Sequence, residues 1–237
     1  SARRLRDLVA QGAPASLSPI DRLGLRVLGV VAPYAPRLAE RAVNWRVNQE
    51  TTGVILPGED GPLTRYLARR RADGFRLNVN VLGESILGDD EAAARFDLVA
   101  SRIRRPDVDY VSIKISALCA NLDVLAWDDS LDRVTERLAA LYRIAQEHGT
   151  FVNLDMEEHR DLELSIEAFI HVLDQPEFQQ MPAGIVLQAY IPDSHAALER
   201  LIAWANARHV AGRAPIKIRL VKGANLAMEQ VEAELHD

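Results

Sequence analysis

This sequence of 237 residues is short of the features that mark secreted, membrane-spanning or nucleic-acid-binding chains. Cysteine occurs once, at Cys119, which excludes an intrachain disulfide and a cysteine-rich metal centre; a reducing cytosol suits the chain best. Cys119 itself reads as a small buried residue. There is no basic excess: 28 Lys and Arg stand against 34 Asp and Glu, a formal charge of −6. That balance offers no broad cationic face to nucleic acid, or to anionic lipid by simple adsorption. No apolar run reaches the roughly 18 residues of a spanning helix, and the start, Ser1-Ala-Arg-Arg, lacks the apolar core of a signal peptide. The absence of an initiating Met reads as a cut or processed N-terminus. Three catalytic signatures are missing as well: Gly-x-Gly-x-x-Gly after the first strand, Gly-x-Ser-x-Gly, and a Cys/His pair.

What is present is an ordinary globular composition, 48% apolar and 26% charged, enough for one large domain or a domain with an arm. Residues 1–71 read as a helical arm. Leu5, Leu8 and Val9 form a short stripe, and Ser18-Pro19-Ile20-Asp21 is a capped helix start with Pro at the first helical position. A short helix over 37–48, a Gly- and Pro-bearing loop over 52–62 and a basic helix over 63–71 follow. From Phe75 the pattern becomes strand, polar strand end, helix, repeated. Strands are predicted over 75–82, 110–116, 151–155, 183–190 and 216–221. Helices are predicted over 89–103, 130–148 and 162–173, and from an Asp193-Ser194 cap to 207, with another after Gly223 carrying Met228, Val231 and Leu235.

Five β-rich runs, each followed by an amphipathic helix, make a parallel α/β protein, but their spacing alone does not separate an open doubly wound sheet from a (βα)8 barrel. The strand ends favour the barrel. Nearly every strand finishes on a polar residue: Glu84, Lys114, Asp155, Gln188, and Arg219 with Lys222. Many strands converging on one site is barrel behaviour, whereas an open sheet binds at its single switch point. Lys114 and Asp155 interrupt apolar strands, so they form either a structural ion pair or part of a ligand site. Arg219 and Lys222, beside Gly223 and a helix N-terminus, fit an anion or an electron-rich cofactor, and equally a solvated strand end. Asp155-Met-Glu-Glu-His159 superficially resembles a metal set, but it lacks a second His at helical spacing and its side chains diverge at a strand exit; no metal is expected. Glu157, Glu158 and Asp161 read as partners of helix amides and loop charges, and His159 as a surface residue.

Val111-Ser-Ile-Lys-Ile-Ser-Ala117, Asn153-Leu-Asp-Met-Glu-Glu158 with Arg160-Asp161, Val186-Leu-Gln-Ala-Tyr190 and Ile218-Arg-Leu-Val-Lys-Gly-Ala224 resemble, in order, the core motifs of the proline dehydrogenases. The resemblance covers most of 75–235 and is nearest to the proline dehydrogenase module of bifunctional bacterial proline utilisation flavoenzymes. It implies a (βα)8 barrel of the proline dehydrogenase type, to which residues 1–71 supply a helical arm and 72–237 about the first five βα units. It further implies FAD as cofactor, oxidation of L-proline to Δ1-pyrroline-5-carboxylate by hydride transfer to flavin N5, and quinone as electron acceptor. By the same resemblance Lys114 contacts the substrate carboxylate, and Asp155 is the active-site aspartate. Met156 lines the flavin, Gln188 hydrogen-bonds the ring, Arg219 stands beside the isoalloxazine with a catalytic role, and Val221, Lys222, Gly223 and Ala224 hold ribityl and pyrophosphate. A cytoplasmic location follows, with room for peripheral association at the inner membrane. So does fusion to, or partnership with, a pyrroline-5-carboxylate/glutamate semialdehyde dehydrogenase.

The sequence departs from that pattern twice. Asn225 stands where many bacterial members carry an aromatic residue after Lys-Gly-Ala. The sequence also stops before the last three strands and the arginine pair that grips the proline carboxylate, so a fragment or scaffold without activity of its own is the second reading. A third, a phosphate-binding lyase or aldolase with Lys114 as Schiff base, accounts for Lys114 but not for Gln188 and Arg219 together.

Overall fold

The computed structural model describes residues 18–32, 34–51, 56, 59–81, 86, 88–156, 158–223 and 225–236. The chain divides into two compact units, Ser1–Leu63 and Thr64–Asp237. In the first, α1 (Pro19–Val31) begins as its sequence dictates: the Ser18 hydroxyl accepts from the Asp21 amide, and proline occupies the first turn, where a missing N–H costs nothing. α2 (Pro36–Thr51) returns Arg46 to Asp21 through two contacts of 2.8 and 3.3 Å. That guanidinium, with Ser18, holds the Asp21 carboxyl below its usual range. The stripe at Leu5, Leu8 and Val9 lies outside the described residues. α3 (Asp60–Ala72) starts earlier than the 63–71 expected, because Gly61 and Pro62 fall in its first turn, where both are tolerated.

In the second unit the strands are β1 (Val79–Asn80), β2 (Tyr110–Ile113), β3 (Phe151–Leu154), β4 (Ala183–Gln188) and β5 (Ile216–Val221). They form one parallel sheet in sequential order, with no reversal. Between them lie α4 (Asp89–Ile103), α5 (Trp127–His148), α6 (Leu162–Asp174) and α7 (Ser194–Val210), and α8 (Leu226–His236) follows β5. α4 carries Asp89, Asp90 and Glu91 in its first turn, where the helix dipole favours them.

Alternation along the strands separates two faces. Val111, Ile113, Val152, Leu154, Ile185 and Leu187 are buried, and they match the apolar stripes of the helices: Val134, Leu138 and Leu141 on α5, Ile166 and Phe169 on α6 and Leu201 on α7. Opposite parity carries Ser112, Asn153, Asp155, Gln188 and Arg219.

Several strands are shorter than their apolar runs predict. β2 stops at Ile113 because Ile115–Ala117 tightens into a 3-10 turn, and β1 is only two residues long. Asp193 does not cap α7 with its side chain; its Oδ2 lies 2.8 Å from His159 Nε2, so His159, although exposed, is partnered. Glu158 partners a neighbouring charge, Arg160, and the Asp161 side chain does not cap α6. The strand-end residue Glu84 and the loop residue Glu157 lie outside the described residues.

Candidate functional site

Strand pairing puts chemistry in rows. Ile113 is level with Leu154, Leu154 with Ile185, and Ile185 with Ile218. The next level therefore holds Lys114, Asp155, Val186 and Arg219, all on one face. Lys114 sits in extended backbone (φ −132°, ψ 148°), and the Asp155 amide donates to the Ile113 carbonyl at 2.7 Å, so the ladder outlasts the regular strand by one residue. Two residues lower on the same face are Asn80, Ser112, Asn153, Gly184 and Lys217; two residues higher, Gln188 pairs with Val221.

Asp155 is the centre of this face. Its Oδ1 accepts from Asn153 Nδ2 (2.7 Å), Arg219 Nη2 (2.9 Å) and Ser112 Oγ (3.1 Å). Three donors converging on one oxygen, one of them a fixed cation, hold a carboxylate in place far better than a single surface ion pair would. Ser112 in turn accepts from Asn78 Nδ2 at 2.7 Å. Asn153 is fully buried, and it fits because its neighbour across the ladder is Gly184, where an added Cβ would run into Asn153 Oδ1 and come within 3.2 Å of the Phe151 ring.

Above Asp155 is a pocket of about 160 Å³ lined by Asp155, Met156, Val186, Gln188, Arg219, Val221, Gly223 and Asn225. Its chemistry is mixed: a thioether and two valines form apolar wall, while a cation, a carboxylate and two amides supply polar edges. Gln188 is buried and donates its Nε2 to the Met156 carbonyl (3.2 Å) and sulfur (3.4 Å), which fixes the amide's orientation. Gly223 has φ +100°, and a Cβ there would meet the Tyr190 ring and, at 2.6 Å, Gln188 Oε1; only glycine lets the backbone pass so close. Burial, aided by the Glu229 carboxylate, pushes the Tyr190 phenol above its ordinary pKa. Arg219 Nε is buried and makes no hydrogen bond among the described residues.

The structure thus brings Asp155, Met156, Gln188, Arg219, Val221 and Gly223 to one pocket. Lys114 shares their face and stands beside Asp155 in its row, but is not part of the pocket lining. Lys222 is exposed, and Ala224 lies outside the described residues. Sequence reasoning placed Ser112, Asn153, Val186 and Tyr190 within motifs but gave them no role. The period of two would have found the first two, which stand two residues before Lys114 and Asp155. Among the described residues no group of three His, Cys, Asp or Glu side chains is placed to hold a metal, and no helix is long and apolar enough to cross a membrane.

Residues 63–237 match the family described as proline dehydrogenase. Among solved structures, proline utilization A (PutA) from Corynebacterium freiburgense is 45% identical with a TM-score of 0.76, over 87% of this chain and 22% of that one. Proline dehydrogenase from Deinococcus radiodurans is 30% identical over 161 residues, 65% of this chain and 46% of that protein. The bifunctional protein PutA of Escherichia coli is 28% identical over 173 residues, 68% of this chain. The chain spans 13% of the length of that last relative, so these proteins carry much that is not represented here.

Proposed function

The chain belongs to the proline dehydrogenase family, and we propose that it forms the leading arc of a (βα)8 barrel that oxidises L-proline to Δ1-pyrroline-5-carboxylate with FAD. The observation that carries the reading is the convergence of Asp155, Gln188, Arg219 and Gly223 on one pocket at the carboxyl ends of parallel strands. A sequential strand order without a switch point supports the barrel over a doubly wound sheet.

The residues present fit a flavin. Gly223 opens a cradle that a Cβ would fill, the buried Arg219 Nε supplies a donor with no other hydrogen bond among the described residues, and an apolar wall with amide edges suits a flat, amphiphilic ring. Met156, Gln188 and Arg219 would face the ring, with Val221, Lys222, Gly223 and Ala224 holding its ribityl and phosphate groups. Bound FAD would supply the two-electron acceptor for a hydride from the proline ring carbon next to nitrogen, the nitrogen lone pair closing the carbon–nitrogen double bond and the amine proton passing to solvent.

The chain's own groups bind and orient. Lys114, one step along the row from Asp155, provides a charge-assisted contact for the substrate carboxylate. Asp155, held by three donors, offers a fixed acceptor to the substrate amine, and holding the reactants in register is the larger part of what such a site supplies. Arg219, paired to Asp155 at 2.9 Å, places a permanent cation where negative charge accumulates on reduction.

A fused or partnered aldehyde dehydrogenase module belongs to the same proposal, supported by relatives named as bifunctional; quinone as electron acceptor and peripheral membrane association are proposed on the family resemblance alone. The decisive experiment is anaerobic: full-length protein should purify with the visible spectrum of bound flavin, and L-proline should bleach it. A protein without flavin overturns the reading, and one in which borohydride traps a carbonyl substrate on Lys114 replaces it with a Schiff-base lyase.

A further inference from the structure

Below the row that holds Asp155 lies a second polar line that none of the roles above uses. Lys217 Nζ donates to the Tyr110 hydroxyl at 3.1 Å and stands over the Tyr110 ring, 4.6 Å from its centroid. The Tyr110 hydroxyl donates to Asn153 Oδ1 at 3.4 Å, and Asn153 Nδ2 donates to Asp155 Oδ1 at 2.7 Å. We propose that Lys217, Tyr110 and Asn153 form a one-way hydrogen-bond chain that sets the position of the Asp155 carboxylate, which makes Tyr110 and Asn153 positioning residues of the site. The inference rests on the reading of Asp155 given above.

The direction of the chain follows from what each group can do. An ammonium has donors and no acceptor, so the Tyr110 oxygen must accept from Lys217 and its own hydrogen is left to donate onward. The neighbour that receives it must present an acceptor, which turns the Asn153 carbonyl toward Tyr110 and its NH2 toward Asp155. The opposite amide orientation would set a carbonyl oxygen against a carboxylate oxygen and leave two donors facing each other. Asn153 is fully buried against the gap left by Gly184, so leaving either end of its amide without a partner is costly. A charge two links away thus decides which end of an amide meets the catalytic carboxylate.

The test uses full-length holoenzyme carrying Tyr110→Phe, Lys217→Met, both together, and separately Asp155→Asn. Tyr110→Phe keeps the ring edge-on to Phe151 (centroids 5.1 Å apart) and removes only the linking oxygen, without changing charge. It should lower kcat about three- to tenfold, the effect of roughly one hydrogen bond, with KM for proline within twofold. The flavin potential, read by dye equilibration, should become more negative, because a loosened amide leaves more of the carboxylate's charge on Arg219. A shift of about 30 mV corresponds to a tenfold change in that two-electron equilibrium. Lys217→Met should have its own effect in the wild-type background and little further effect on kcat on top of Tyr110→Phe, since a broken chain transmits nothing.

Additive effects on kcat, or wild-type kcat and potential in Tyr110→Phe, overturn the chain. Asp155→Asn separates the two failures. A crippled Asp155→Asn beside a silent Tyr110→Phe sinks the chain alone, whereas a silent Asp155→Asn sinks the assignment of Asp155 and the inference with it.

Discussion

Along β2, Val111 and Ile113 turn to the helix layer while Ser112 turns away from it; along β3, Val152 and Leu154 do the same while Asn153 and Asp155 turn away. The two faces are interleaved residue by residue, yet they make opposite demands. The helix side needs volume and shape, and its side chains are interchangeable among apolar residues of similar size at modest cost. On the other side each donor must meet an acceptor, as at Asp155 Oδ1 with its three partners. One face tolerates drift in sequence; the other specifies identity.

Arg208 should give the largest effect, because it breaks the rule on the tolerant side. This arginine of α7 is 2% exposed and donates to the carbonyls of Leu173, Phe178, Gln179 and Ala214, tying the end of α6 to the entry of β5. Arg208→Met should destabilise by about 3–5 kcal/mol in urea unfolding, since those carbonyls lose their donor where water cannot replace it. KM for proline in whatever protein remains folded should be unchanged. A variant of wild-type stability would mean the helix layer contains no specific polar clamp.

On the polar face, Lys114→Ala should raise KM for proline in the full-length enzyme about ten- to a hundredfold, equivalent to about 1.5–3 kcal/mol of charge-assisted binding, with little change in flavin content or melting temperature. Lost flavin with an intact KM would reassign the lysine. Arg219→Met comes next: it keeps much of the stem's packing and deletes the charge, so the flavin potential should fall by ~30 mV, about 1.4 kcal/mol for a two-electron couple, and reduction by proline should slow. An unchanged potential would leave Arg219 as the ion-pair partner of Asp155 and nothing more.

The smallest contrast lies in the loop before β2. Arg105 bonds Asp107 at 2.7 and 2.9 Å and holds its carboxyl below the usual range, so the folded state binds that proton less readily than the unfolded chain. The pair's contribution is therefore present at neutral pH and is lost as pH falls through the ordinary carboxylate range toward the lowered folded value. Asp107→Asn should flatten the acid limb of urea midpoint against pH by less than about 1 kcal/mol. An unaltered acid limb would show that the pair adds nothing measurable.

Much of the scaffold was legible before any coordinates. β5 runs over Ile216–Val221, α4 over Asp89–Ile103, and Ser18 caps α1, all as their residues require. These features are local: a β-branched run, an acidic first turn and a serine before proline act on their own neighbours. Misreadings came where a distant partner competes. Asp193 looks like a helix cap, but His159, 34 residues away, takes its carboxylate. Arg208 drew no reading from the sequence at all, because the four carbonyls that surround it come from other segments.

The site shows the same division. Composition and period determined which residue types occupy the strand ends, and four ordered motifs determined the family, because both are written along the chain. That Asp155 pairs with Arg219, 64 residues on, while Lys114 stands beside it outside the pocket lining, depends on the register between strands. Register is set by how whole strands and helices pack, since a one-residue slip would exchange the two faces of a strand. The residues of the polar face were therefore given by the sequence, and which of them touch was decided only when the sheet assembled.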